Sequence, residues 1–229
     1  MTAPDRPGRR RYSTALRAEQ TALTRRRVVG AAAGLFTERG YAGTTVGAVA
    51  GTAGVSVQTV YNVVGGKSAL LKAVYDVTLA GDDEPVPIGA RREFRAILDA
   101  PTGRACLAAY AHVGRLLGER TLGLVSVLVA QAAAGDPDLA AFVATIEGER
   151  AVGTRNTATH VATRFGLRAG LDVDAAADVL WALTAPDLAD RLVVRRAWGW
   201  DRFERWLATA MADALVGPGG DAPRTRDHP

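Results

Sequence analysis

The chain has 229 residues, 48% of them hydrophobic and 23% charged, with a formal net charge of +4 and a single cysteine. This length buries a workable core as one large domain or as a small domain joined to a larger one, and two domains are expected. No run approaches the ~20 apolar residues of a membrane-crossing helix. The charged N-terminus lacks the apolar segment of a secretory signal, and a lone Cys106 excludes an internal disulfide or a cysteine metal cluster. A soluble cytoplasmic protein without a membrane partner is expected.

The total charge hides an asymmetry. Residues 1–80 hold eleven Lys/Arg against four Asp/Glu, a balance of +7, whereas residues 81–229 hold seventeen against twenty, a balance of −3. The basic end is the candidate polyanion face, although phosphate attraction alone carries no sequence information.

Residues 1–18 are rich in Pro, Gly and Arg without an apolar period. They read as a flexible basic arm whose Arg9, Arg10 and Arg11 either lie along a polyanion or are solvated. From Thr24 the spacing of Val28, Ala32, Leu35 and Phe36 predicts a helix, with Gly40 placed as its C-terminal cap. Thr45 is placed to cap a short helix with Val46, Val49, Ala50 and Ala53 on one face, closed by Gly54. Ser56 then caps a third helix of about two turns, flanked by the Val55/Val60 staple. Gly65-Gly66 breaks it, Lys67 starts a fourth helix with Leu70, Leu71 and Val74, and 81–87 reads as a loop.

Beyond that loop the patterns are helical near 90–98, 102–119, 121–134, 137–165, 172–196 with an interruption at Pro186, and 201–215. No alternating strand or Asn-Gly hairpin stands out, so the fold class is all-α. In the last helix Asp201 and Glu204 are spaced as a capping box, and Phe203, Trp206, Leu207, Ala210, Met211 and Ala214 form one stripe. The expected boundaries are an arm at 1–18, a small helical domain at 19–82, a larger helical body at 83–216 and a disordered tail at 217–229.

Two short helices joined by Gly54-Val55-Ser56 after a longer first helix have the form of a helix-turn-helix, whose second helix enters the DNA major groove. The recognition helix would run from Ser56 to about Val63, with Val60 and Val64 inward and Val57, Gln58 and Thr59 outward. Gln58 can pair with an adenine edge, Thr59 can bond a base or phosphate, and Val57 can touch a thymine methyl. Tyr61 and Lys67 suit phosphates, and Thr44 or Thr45 can present a hydroxyl.

Thr44-Thr45-Val46, Val49-Ala50, Ala53-Gly54-Val55-Ser56, Thr59, Val60-Tyr61 and Lys67-Ser-Ala-Leu-Leu71 together resemble the DNA-binding domain of the TetR family over roughly residues 22–82. The resemblance implies a three-helix head on double-stranded operator DNA, a fourth helix leading to a ligand-binding and dimerisation body, and operator release by a small-molecule effector. The sequence departs from the family where Asn62 and Val63 replace a polar or aromatic residue followed by His, Val64 replaces a common Phe, and Gly65-Gly66 replaces a polar pair. Asn62 is then a further candidate DNA contact.

A homodimer would place two heads on two half-sites about one DNA turn, ~34 Å, apart. The last-helix stripe, Phe203, Trp206, Leu207, Ala210 and Met211, is the candidate interface and could equally be internal. Phe94, Tyr110, Leu116, Gln131, Phe142, Ile146, Arg150 and Trp181 could line an effector pocket, and each also suits ordinary core or surface. An enzyme is the rival class. The histidines His112, His160 and His228 show no metal-ligand or nucleophile spacing, and no phosphate-binding glycine loop occurs. No catalytic residue, metal or cofactor is expected. A ligand-independent architectural DNA-binding protein is the third reading.

Overall fold

The structure, a computed structural model, describes residues 7–82 and 86–217, and every regular element among them is helical. The chain divides into two units, Met1–Asp83 and Glu84–Pro229. Arg residues and the Ala-, Glu- and Gln-containing stretch after Ser13 favour helix, and Pro7 suits a first helical turn, where a missing N–H costs nothing. Helix α1 accordingly spans Pro7–Gly43. The arm expected to be flexible is therefore helical from Pro7 onward, and its first six residues lie outside the described ones.

Gly40 interrupts α1 with φ 69° and ψ 175°, a backbone region open essentially to glycine alone. The following turn brings Tyr41 back under Phe36, their rings stacked at 5.8 Å. Three further helices complete the first unit: α2 (Val46–Ala53), α3 (Val57–Val63) and α4 (Lys67–Ala80). Val28, Ala32, Leu35, Phe36, Val49, Ala50, Val60, Leu70, Leu71 and Val74 are buried together as its core. Both α2 and α4 pack on α1.

The second unit begins with a 3-10 turn, Ile88–Ala90, and continues through α5 (Arg92–Asp99), α6 (Gly103–Ala133), α7 (Pro137–Arg164), α8 (Val173–Leu183) and α9 (Pro186–Ala189). A π-helical turn, Asp190–Arg195, then leads to α10 (Trp200–Leu215). Helix α6 is the hub, packing on α5, α7, α9 and α10, and α8 lies against α7 and α10. The break expected between 119 and 121 is absent: no proline or left-handed residue interrupts the run, and the Thr121 hydroxyl donates to the Leu117 carbonyl at 2.7 Å within the helix. Unbroken, α6 carries an 18-residue window of mean hydropathy 1.3, long and apolar enough by composition to cross a membrane, contrary to the expectation that no run came close. In this fold α6 is instead the central helix of a bundle.

The last helix differs from expectation twice. Asp201 and Glu204 do not form a capping box, and α10 starts after Gly199 with no side-chain cap. Arg115 of α6 takes both carboxylates: one Nη1 reaches Asp201 and Glu204 Oε2, the latter at 3.1 Å, while its Nε donates to Glu119 at 2.9 Å. His112 Nδ1 lies 3.1 Å from the other Glu204 oxygen. A full guanidinium charge outcompetes a backbone amide for these acceptors. Phe203, Leu207 and Met211, expected at a dimer interface, are 3%, 1% and 0% exposed within one chain, so the stripe is internal at these positions. They meet the α5, α6 and α8 residues Ile97, Leu107 and Leu180 in one core, and only Trp206 and Ala210 of the expected set stay half-buried. The tail at 218–229, with His228, lies outside the described residues.

Leu207→Ala should cost the body about 2–5 kcal/mol, the usual toll of a large-to-small change in a closed core. Denaturant unfolding followed by far-UV circular dichroism reads this, and an unchanged midpoint would contradict the burial described.

Candidate nucleic-acid interface

The helix-turn-helix pair is clasped to α1 at both ends. At one end Thr44, 1% exposed, donates its hydroxyl to the Gly40 carbonyl at 2.9 Å and stands 3.1 Å from that of Leu35. Thr44 therefore does not present its hydroxyl to DNA; it ties the start of α2 to the broken end of α1. At the other end the Arg27 guanidinium donates to the Ala53 carbonyl and reaches that of Gly54 at 3.5 Å. Gly54 itself adopts φ 63°, ψ 41°, and a Cβ there would stand 3.1 Å from Arg27 Nη2. A left-handed glycine thus makes the turn and leaves room for the arginine that fastens it. Arg27 escaped the sequence reading; the Arg25–Arg27 run just before buried Val28 was the available signal.

Thr45 and Ser56 are N-caps. The Thr45 hydroxyl accepts from Ala48 N at 3.1 Å, and that of Ser56 accepts from Thr59 N at 3.0 Å. Thr45 remains exposed, so its cap role leaves it at the surface. The Ser56 and Thr59 hydroxyls also pair at 2.8 Å.

Helix α3 turns Val60, fully buried, into the core and leaves Val57, Gln58, Tyr61 and Asn62 exposed, with Thr59 half-buried. Two large apolar side chains stand out in water here: Val57 is 45% exposed and Tyr61 52%. Gln58 Nε2 donates to Asn62 Oδ1 at 3.0 Å, one helical turn away. The pair thereby pre-orients two amides on one face, a form suited to base edges. Val64, expected inward, is half-buried as the C-cap of α3.

Lys67 opens α4, where a cation opposes the helix dipole. Its ammonium is steadied by the face of Tyr41, 4.3 Å from the ring centroid, and by the Ala42 carbonyl at 3.4 Å. It is held beside the α1 turn rather than along α3. Gly65 adopts φ 122°, and a Cβ there would stand 2.8 Å from that of Ala69, so this connection is restricted to glycine.

Residues 28–74 match the family described as bacterial regulatory proteins, tetR family. The head is a TetR-family DNA-binding domain. A chain built on it is a DNA-binding transcriptional regulator. The fold of the whole chain agrees. The SmeT–triclosan complex shares 20% identity over 90% of this chain and 98% of its own, with a TM-score of 0.60. A TetR transcriptional regulator from Chloroflexus aurantiacus shares 21% over 86% and 98%, at 0.53. A transcriptional regulator from Rhodococcus sp. shares 15% over 82% and 94%, at 0.51. No curated protein matches the sequence.

The eight candidate effector residues lie at several places in the body. Phe94 and Leu116 border a cleft of only about 10 Å³ together with Ile88, Glu93, Val113 and Leu117, far below the ~300 Å³ at which drug-sized pockets begin. Phe142 and Ile146 are buried core, and Gln131 is half-buried near the end of α6. Three others do gather. Arg150 donates to the Trp181 carbonyl and to the Thr184 hydroxyl, the latter at 3.1 Å, pairs with Glu147 at 2.6 Å, and stacks 4.6 Å from the Trp181 ring centroid. Tyr110 is close enough to feel its charge: burial pushes the phenol up to about 12, while Arg150 and a hydrogen bond with Thr157 pull the other way. Burial likewise raises the Cys106 thiol to about 11, leaving it an inert hydrophobe. Among the described residues no group of three or more His, Cys, Asp or Glu is arranged to hold a metal.

Thr44→Val should destabilise the head by about 1–3 kcal/mol, because the carbonyls it serves are left without their donor. Base preference should be unaltered. Thermal unfolding and a binding-site selection separate these; a changed preference without loss of stability would return Thr44 to the DNA face.

Proposed function

We propose that the protein is a homodimeric repressor that grips a roughly palindromic operator and is released by a small molecule bound in its helical body. The observation that carries this reading is the exposed face of α3, where Val57, Gln58, Thr59, Tyr61 and Asn62 project from a helix held rigid by α1. Gln58 and Asn62 are the base-reading pair, Val57 meets a thymine methyl, and Thr59 bonds a base or phosphate. Thr45, Tyr61 and Lys67 contact phosphates and set the register. One chain carries one such helix, so a two-fold site needs a second copy, its heads about 34 Å apart. Trp206 and Ala210 are the remaining members of the α10 stripe available to that contact.

Support for an effector comes from the helical body and from SmeT, a structure of the same fold solved with triclosan. The Tyr110, Arg150 and Trp181 group supplies aromatic surface beside an arginine already paired with Glu147, a combination that suits a planar, largely apolar molecule.

Genome-wide mapping of bound sites tests the reading directly. It should return one palindromic motif, and near-equal occupancy of unrelated sequences would indicate an architectural protein instead. On the recovered operator, Gln58→Ala should alter base preference at one position per half-site. Lys67→Ala should weaken operator and scrambled duplexes alike, lowering the salt slope by about 2, roughly one for each subunit. Equal salt slopes for wild type and Lys67→Ala would remove Lys67 from the phosphate contacts.

A further inference from the structure

Helix α1 begins long before the head does. Among its described side chains, which begin at Leu16, the first buried one is Val28, and from residue 16 to residue 27 every side chain is exposed except Thr24, which is half-buried. Between Pro7 and Arg27 the helix carries seven arginines, at 9, 10, 11, 17, 25, 26 and 27, against one acidic residue, Glu19. At 1.5 Å per residue this extension is about 30 Å long, nearly one turn of B-DNA, ~34 Å. Its root is fixed where Arg27 holds the carbonyls of Ala53 and Gly54, the turn that leads directly into the exposed tip of α3. The extension therefore leaves the head at the DNA-reading end of the helix-turn-helix.

From this placement we infer that the basic extension of α1 is a second DNA-binding element, one that lies along the phosphate backbone flanking the half-site. This inference rests on the operator reading for its position, but the polyanion contact does not depend on sequence preference. A helix without tertiary packing is marginal in water, and neighbouring like charges weaken it further. Phosphates relieve that repulsion and release counterions. A membrane surface fits less well, because the extension lacks Trp and Phe and exposes only Leu16 and Leu23 as large aliphatic groups.

The test compares the full-length protein with two quadruple variants, R9Q/R10Q/R11Q/R17Q and the matching arginine-to-lysine set. Salt titrations use a random-sequence duplex several turns long and the mapped operator. The glutamine variant should bind both duplexes more weakly, with log K against log salt shallower by roughly 4–7 per dimer, since each lost phosphate contact removes about 0.9 from the slope and two extensions are affected. Hydroxyl-radical footprints should lose the protection outside the half-sites while keeping the operator preference. The lysine variant should retain the slope, showing that charge and not an altered head is responsible. A slope and footprint unchanged in the glutamine variant would overturn the inference, as would slopes that fall equally in the lysine variant, or binding to anionic vesicles that depends on the four arginines while DNA binding does not. If the wild type prefers no palindrome, the operator reading fails by itself, and the slopes on the random duplex still decide the role of the extension.

Discussion

Everything the recognition helix can do depends on its being held at a fixed angle to α1. Helix α3 has seven residues, too few to be stable alone, and only Val60 of its own side chains is fully buried. Its orientation is imposed from outside, by the Thr44 hydroxyl on the carbonyls at the end of α1 and by Arg27 on those at the α2–α3 turn. Both clasps bond to backbone oxygens, whose positions do not vary with side-chain rotamer. On the proposed function, that rigidity lets exposed Val57, Gln58 and Asn62 meet a groove without an ordering cost at the moment of binding.

A different device positions the end of the body. Arg115 draws Asp201 and Glu204 of α10 and Glu119 of α6 into one network, on the side of α10 that faces α6. Exposed ion pairs contribute little to stability, so the network accompanies a rotation that burial of the apolar face fixes. With Asp201 and Glu204 turned toward α6, Phe203, Leu207 and Met211 follow at helical spacing into the core. The same rotation brings Trp200 over α6, where Gly118 alone leaves space for the indole: a Cβ there would stand 2.8 Å from the ring. An apolar stripe at the end of a chain is thus consumed by its own subunit, and a dimer contact through α10 has only the stripe's edge to use.

The helical elements of the head were legible because local chemistry dictates them. Thr45 and Ser56 have the side chains that cap, Gly54 has the freedom that the turn demands, and Val49 with Ala53, then Val60, mark the inward faces. What stayed hidden depends on partners distant in sequence. Nothing adjacent to Thr44 says that its hydroxyl meets Leu35, nine residues away, and nothing adjacent to Asp201 announces Arg115. The capping-box spacing of Asp201 and Glu204 was real, but spacing cannot rank a backbone amide against a guanidinium. The arm expected at 1–18 is helical from Pro7 onward for a related reason: arginine density looks like disorder, yet Ala, Arg, Glu and Gln are all strong helix formers, and between Pro7 and Gly40 there is no proline and only Gly8, Gly30 and Gly34 weaken the helix.

The inventory of α3 bears on how affinity and specificity are divided. Its exposed surface offers two amides already joined to each other, one methyl-bearing Val57 and one phenol, a small set for direct readout. Each good bidentate pair discriminates by only about 1–3 kcal/mol, so a handful of such contacts per half-site must act on a background of phosphate binding supplied elsewhere. Lys67 is proposed as one source, but it is engaged with Tyr41 and Ala42 and sits outside α3. The concentration of positive charge ahead of Val28 lies at the end of the head from which α3 reads. On the two proposals made above, sequence-independent attraction and sequence reading belong to two helices linked through Arg27 and the turn before α3, so that losing the first would weaken every site in parallel while leaving the order among them intact.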